Sequence, residues 1–276
     1  MTRRPRVAIV GHVEWATHAH GIFPAPGQIT SLRDPFDEPA GGGAVAAAQA
    51  AALGAETLFF TAVGNDDVST RALEILRDHG IEVRAARRAT PLTRALSVTD
   101  ATGDRAIALT GEPMGPEIGD ALGWEDVATM DAVYFTGRDP ASLAACRSAR
   151  VLVATARRWP LIAPSGVEID VLVASASDPD EQIPDDTLGH QIRALIRTRG
   201  AAGGDIFEGG MRTGAWGAAP RPGPELDSYG CGDAFAAGLT VALARGDELI
   251  DGVALGARCG AQTITQRGGL RGLYRP

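Results

Sequence analysis

The sequence predicts an α/β fold of three layers, a mainly parallel sheet covered by helices on both faces and carrying a small β lid. Three observations lead there. Short β-branched or apolar runs alternate with helix-compatible stretches and glycine stops, the rhythm of parallel strands joined by crossover helices. Two segments, 12–40 and 81–112, break that rhythm with short extended pieces. The 276 residues suffice for one domain of this kind spanning 1–276, with the two irregular segments as the lid.

The elements follow in order. Arg6–Val10 is a β-branched run closed by Gly11, a buried first strand. Pro24, Pro26, Gly27, Pro35 and Pro39 keep 12–40 out of helix and leave extended pieces around 28–32. Gly41-Gly42-Gly43 opens an alanine-rich helix over 44–53, stopped by Gly54. A strand over 57–63 ends at Gly64. Asp66 and Asp67 place negative charge at the head of a helix reaching Asp78, and Gly80 stops it. Residues 81–84 are extended, and 94–99 with 106–110 alternate around Thr102-Gly103-Asp104 as a hairpin. Residues 132–136, 151–154 and 171–174 read as short apolar strands, and 188–197 as a helix running into a strand.

Charge and composition remove function classes. Acidic residues outnumber basic ones 34 to 26, for a net charge of −8, which disfavours a nucleic-acid binder. All 26 basic residues are arginine. Without lysine there is no Walker A loop, no protein-kinase-type lysine and no Schiff-base or pyridoxal-phosphate chemistry. Cys146, Cys231 and Cys259 are odd in number and show no CxxC spacing, so neither a disulfide scaffold nor a structural zinc site is expected. The apolar run 7–10 is too short for a signal peptide, and 44–53 falls far short of a membrane span. The chain reads as soluble and cytoplasmic.

The segment that carries chemistry is Asp227-Ser228-Tyr229-Gly230-Cys231-Gly232-Asp233-Ala234-Phe235. Small residues run directly into an apolar helix over 234–244, stopped by Gly246. Successive backbone N–H groups then point to one place, and the helix start adds unpaired N–H groups and a positive dipole end. This is an anion cradle that needs no lysine. Asp233 at the helix start reads either as a capping carboxylate or as a general base beside the cradle. No G-x-S-x-G elbow is present.

That segment resembles the C-terminal signature of the ribokinase-like PfkB carbohydrate kinases, usually D-T-x-G-A-G-D-x-F. Ala40-Gly41-Gly42-Gly43-Ala44-Val45, followed by Ala47, Gly54 and Gly64, is similar to their N-terminal signature, and the resemblance runs from Val7 to about Gly269. It implies a ribokinase-like three-layer αβα fold and ATP-dependent phosphorylation of a hydroxyl on a sugar, nucleoside or related compound. Asp233 would be the catalytic base, and Gly230, Cys231 and Gly232 the anion hole. Gly41 and Gly42 would lie against the sugar. Thr198, Gly200 and Gly203, in a segment resembling the family's nucleotide-side loop, would line ATP, with Mg²⁺ bridging phosphate oxygens. Asp227 and Ser228 would lie near a monovalent cation such as K⁺, and lid strands would pair across a homodimer.

The match departs on the acceptor side. Val45 stands where the signature usually has Asn, and Ala16 where the first strand's loop usually has Asp. Glu14 is either a replacement polar contact or a solvated loop carboxylate. The family's Asn-x-x-Glu appears as Ser175-Ala176-Ser177-Asp178, leaving Asp178 as a candidate Mg²⁺ ligand of shorter reach. Cys231 acts through its backbone or as a reactive thiol. Trp15 packs, or stacks on a substrate ring. His12, His18 and His20 are lid contacts, or the His-x-His pair ligates a metal. The arginine-rich stretch 147–158 reads as solvated. The alternative to a kinase is a catalytically weak or inactive binding or regulatory protein on the same scaffold; a nicotinamide-dependent oxidoreductase rests only on the α/β rhythm.

Overall fold

The computed structural model describes residues 3–184 and 190–276. β1 (Arg6–Val10) alternates strictly: Val7 and Ile9 enter one core, Ala8 and Val10 the other. A strand buried on both faces belongs at the centre of a parallel sheet. β1 accordingly lies between β4 (Glu56–Val63) and β8 (Ala132–Phe135), parallel to both. Beyond β8 come β9 (Leu152–Thr155), β10 (Ile169–Ser175) and β11 (Ile192–Thr198), all parallel. The antiparallel hairpin β12 (Gly204–Glu208) and β13 (Met211–Trp216) extends this edge. β5 (Glu82–Arg87) closes the other edge beside β4, giving nine strands in the order β13-β12-β11-β10-β9-β8-β1-β4-β5.

Helices cover both faces, as the alternation requires. Helices α1 (Gly42–Ala52), α2 (Asp67–Asp78), α5 (Cys231–Arg245) and α6 (Leu249–Thr263) pack on one face. The other core takes α3 (Pro140–Cys146), α4 (Trp159–Ser165) and a 3₁₀ turn at Trp124–Thr129. Local chemistry sets the ends. Asp66 caps α2 by accepting from Ser69 N–H at 3.0 Å, and Gly80 and Gly246 take positive φ after α2 and α5. α1 is almost entirely glycine and alanine, so close approach to α5 and β4 buries it nearly all round.

The irregular segments separate into two parts. β2 (Glu14–His20), β3 (Arg33–Ala40), β6 (Arg94–Thr99) and β7 (Arg105–Thr110) form a second sheet, ordered β3-β2-β6-β7. Residues 94–99 and 106–110 pair as the expected hairpin, with Asp100 N–H bonded to Asp104 O at 2.9 Å. Two expectations need correction. The lid range 81–112 starts too early, because Glu82–Arg87 pairs with β4 in the large sheet. Its charged ends suit an edge strand, a role decided by the partner and not by its own pattern. The extended piece near 28–32 is loop, and the strand begins at Arg33. In the segment read as helix then strand, Leu188 lies outside the described residues, and 192–197 is strand. No described helix is long and apolar enough to cross a membrane.

Candidate active site

The C-terminal ends of parallel strands converge beside the start of α5, where an open α/β sheet builds its sites. Gly230, with φ of +74°, turns the chain into α5, and a Cβ there would lie 3.0 Å from Val45 Cγ1. Ala234 N–H bonds Gly230 O at 2.9 Å, and Cys231 N–H reaches Ser228 O only at 3.5 Å, while the first N–H groups of a helix lack an i−4 acceptor. The side of Gly232 is open: a Cβ placed there would meet nothing within 4 Å. An anion has room there and dipoles to meet it.

Asp233 occupies the first turn of α5. Burial pushes its carboxyl up to about 6; Arg105, Arg157 and Arg158 pull the other way, and Glu14 adds to the rise. A Cβ on Gly42 would sit 2.7 Å from Asp233 Oδ1, so the first glycine signature lies directly against Asp233. Gly41, at φ +90°, has its Cβ space filled by the His12 ring at 2.8 Å. Both glycines are thus required by protein neighbours.

One hydroxyl ties three distant segments together. Gly41 N–H donates to Tyr229 Oη at 3.0 Å, and Tyr229 donates to Glu14 Oε1 at 2.9 Å. Glu14 is buried rather than solvated, and its carboxyl is raised by burial, opposed by the Tyr229 bond. Ala16 and Val45 are fully buried and apolar: Ala16 packs in the small sheet, and Val45 floors the loop at Gly230 and Gly269.

The nucleotide-side candidates sit at the ends of β10 and β11. Thr198 pairs in register with Ser175 and donates its hydroxyl to Ala174 O at 3.2 Å. Gly200 and Gly203 both have positive φ, and Gly203 lies tight against Trp216 and Gly217. Trp216 stacks on Phe235 of α5 at 5.9 Å, linking this loop to the helix that carries Asp233.

Asp178 has its oxygens engaged within the protein. It caps a 3₁₀ turn through Asp180 N–H at 3.0 Å and is ion-paired to Arg157. Glu181, which sequence spacing missed, is a second carboxylate on the same turn. Its Oε2 accepts Ser175 N–H at 2.7 Å, and its carboxyl is raised by burial first, with Asp178 and Asp233 adding to the rise. The intervening Pro179–Glu181 turn places a carboxylate six residues after Ser175 where a strict four-residue motif would have one after three.

Asp227 spends its oxygens on Tyr229 N–H at 2.9 Å and Gly268 N–H at 3.0 Å; Arg105 holds the Ser228 hydroxyl. The three histidines separate. His12 borders Gly41, His18 is buried between Glu38 and Asp227, and His20 Nδ1 lies 3.1 Å from Thr99 O. Among the described residues no group of three or more His, Cys, Asp or Glu could hold a metal ion. Trp15 is buried beneath the Arg71 guanidinium, 5.4 Å from its ring centre, and packs in the core. Burial raises the Cys231 thiol, which disfavours a reactive thiolate.

The reading of 147–158 as solvated fails at Arg158. That side chain is half-buried, its Nε bonds Thr136 O at 3.0 Å, and burial lowers it to about 10, helped by Arg138. Arg138 and Arg158 directly follow β8 and β9. Position at a strand's C-terminal end was the signal available for finding them.

The family model for the pfkB family carbohydrate kinases matches residues 6–185 and 160–273. No curated protein matches the sequence. Solved structures do match in fold. A ribokinase from Thermotoga maritima superposes with a TM-score of 0.80 at 18% identity, covering 98% of this chain and 96% of that one. An Arabidopsis thaliana ribokinase, complexed with ribose and ATP, gives 0.77 at 18% identity and covers 99% and 96%. An adenosine kinase from Sinorhizobium meliloti gives 0.77 at 17% identity, with the same coverage.

Proposed function

This chain belongs to the pfkB family of carbohydrate kinases, and from that premise we propose that it transfers the γ-phosphoryl group of ATP to a hydroxyl of a sugar, nucleoside or related small molecule. One observation carries the reading. A carboxylate raised toward neutrality stands at the start of α5, against Gly42 and beside an open backbone cradle. A base of that strength is ionised at neutral pH yet still accepts a proton readily.

In the step proposed, the acceptor hydroxyl gives its proton to Asp233 and its oxygen bonds to the γ-phosphorus. The bond from that phosphorus to the β,γ-bridging oxygen breaks, and ADP leaves. N–H groups at 230–232 and the dipole of α5 stabilise charge on the transferring group. Arg105 and Arg157 add positive charge near the base. The nucleotide lies toward Thr198, Gly200 and Gly203. Glu181 would hold Mg²⁺ as a hard oxygen donor, and the ion would offset the repulsion between Glu181 and Asp233. The chemistry it would supply is charge neutralisation of the phosphates.

The small sheet is proposed as a lid over the acceptor. Its edge strand β7 exposes Ile107 and Leu109, a surface suited to a second copy of the chain, which sedimentation would test. The function itself is tested by ADP release with ATP, Mg²⁺ and pooled acceptors, with Asp233→Asn as control. ADP formed with one acceptor and lost in the variant supports the reading. Ligand-induced stabilisation with no ADP from any acceptor replaces it with a binding protein on the same scaffold.

A further inference from the structure

A cavity of about 870 Å³ opens between the base of the small sheet and the end of β8, and neither Asp233 nor 230–232 lines it. Its charged wall is Arg88, Arg94, Glu112, Glu117, Arg138 and Asp139. Contacts lead from the cavity toward Asp233: Arg158 Nε bonds Thr136 O two residues before Arg138, Thr136 packs against Gly11, and the next residue, His12, borders Gly41 beside the Gly42 that faces Asp233.

The charges divide into those already engaged and those left over. Arg88 is gripped by both oxygens of Asp120 at 2.7 Å and lies 3.7 Å from Glu117. Asp139 accepts from Ile118 N–H at 2.9 Å and Ser142 N–H at 2.8 Å. Among the described residues, the Arg94 and Arg138 guanidiniums have no hydrogen-bond or ion-pair partner, against one such carboxylate on the wall, Glu112. Behind them Arg158 uses only its Nε, and the buried His12 Nδ1 has no partner. The other two arginines near Asp233 are engaged elsewhere: Arg157 with Asp178, Asp180 and Glu181, Arg105 with Ser228. Two guanidiniums without a partner therefore share this cavity. A guanidinium binds a carboxylate or phosphate through paired oxygens that fit its fork.

We propose that the acceptor is an anion, a small polyol carrying a carboxylate or a phosphate ester, whose charged end is held in this cavity by Arg138 with Arg94 beside it. The proposal rests on the kinase reading for the fate of the hydroxyl end, and on the cavity alone for the charged end.

The test separates binding from turnover. Wild-type protein without nucleotide is titrated with aldonic acids, sugar phosphates and their neutral parent sugars, all of four to six carbons, and the same compounds enter the ADP-release assay. At least one acid or phosphate is expected to bind tenfold or more tightly than its parent sugar, and which class does so identifies the source of the charge. Arg138 is exposed and unpaired, so Arg138→Gln should fold normally. It should weaken that anion tenfold or more and leave ATP affinity within twofold, while Arg138→Lys recovers part of the loss. Arg94→Gln gives a second, smaller loss. Equal binding of anions and parent sugars, binding of none of the anions, or unchanged anion binding in Arg138→Gln overturns the proposal. Arg138-dependent binding without ADP from any acceptor leaves the anion site standing and removes the kinase reading. ADP formation with neutral acceptors alone does the reverse.

Discussion

Replacing Asp233 by Asn should make the protein more stable and nearly inactive, and both effects follow from one carboxylate. Its folded value of about 6 stands above the ordinary 3.8 chiefly because burial opposes the charge. The native state therefore binds its proton more tightly than the unfolded chain does. The stabilisation from that protonated acid is fully present below about pH 4 and is lost as pH rises through about 6. The gap from 3.8 to about 6 corresponds to about 3 kcal/mol at 1.36 kcal/mol per pH unit, an upper bound since Asp233 keeps part of its surface in water. Above pH 7 the Asn variant escapes this cost. With about 2.1 cal/mol/K of unfolding entropy per residue, a chain this long converts about 3 kcal/mol into about 5 °C of melting midpoint. Calorimetry from pH 4 to pH 8 should show the variant gaining on wild type as pH rises, then holding a constant lead. ADP release should fall by about 10²–10⁴-fold, the usual worth of a general base. A variant less stable than wild type at pH 7.5 refutes the burial argument, and turnover within tenfold of wild type refutes the base.

Three further outcomes follow from the same geometry. The profile of kcat/KM should fall tenfold per pH unit below about 6 and flatten above it, because the proton acceptor must be ionised; a flat profile between pH 5 and 7 removes Asp233 from that role. Gly42→Ala puts a methyl 2.7 Å from Asp233 Oδ1 and should cut kcat tenfold or more, with ATP affinity by titration unchanged. Tyr229→Phe leaves Gly41 N–H and Glu14 without their shared partner, and urea unfolding should show a loss of about 1–3 kcal/mol.

What could be read along the chain was what short-range chemistry decides. The acidic start of α2 at Asp66 and Asp67, the glycine stops at 80 and 246 and the hairpin at 100–104 each involve neighbours a few residues apart. Dihedral limits and side-chain period act over that range, so pattern alone located them. The two glycine signatures were also legible, although the reason for Gly42 was not: it faces Asp233, 191 positions later.

The sequence by itself determined the α/β rhythm, the absence of lysine chemistry, the family resemblance and the carboxylate at the helix start. Only the tertiary structure decided that Glu82–Arg87 pairs in the large sheet, that Glu181 accepts Ser175 N–H while Asp178 pairs with Arg157, and that Tyr229 joins Glu14 to Gly41. It also decided which arginines are engaged and which face an open cavity. The physical reason is that strand partnership, burial and charge pairing depend on groups brought together by folding. Such groups lie far apart in the chain, so no local pattern encodes whether a given carboxylate or guanidinium will meet its opposite or be left waiting for a ligand.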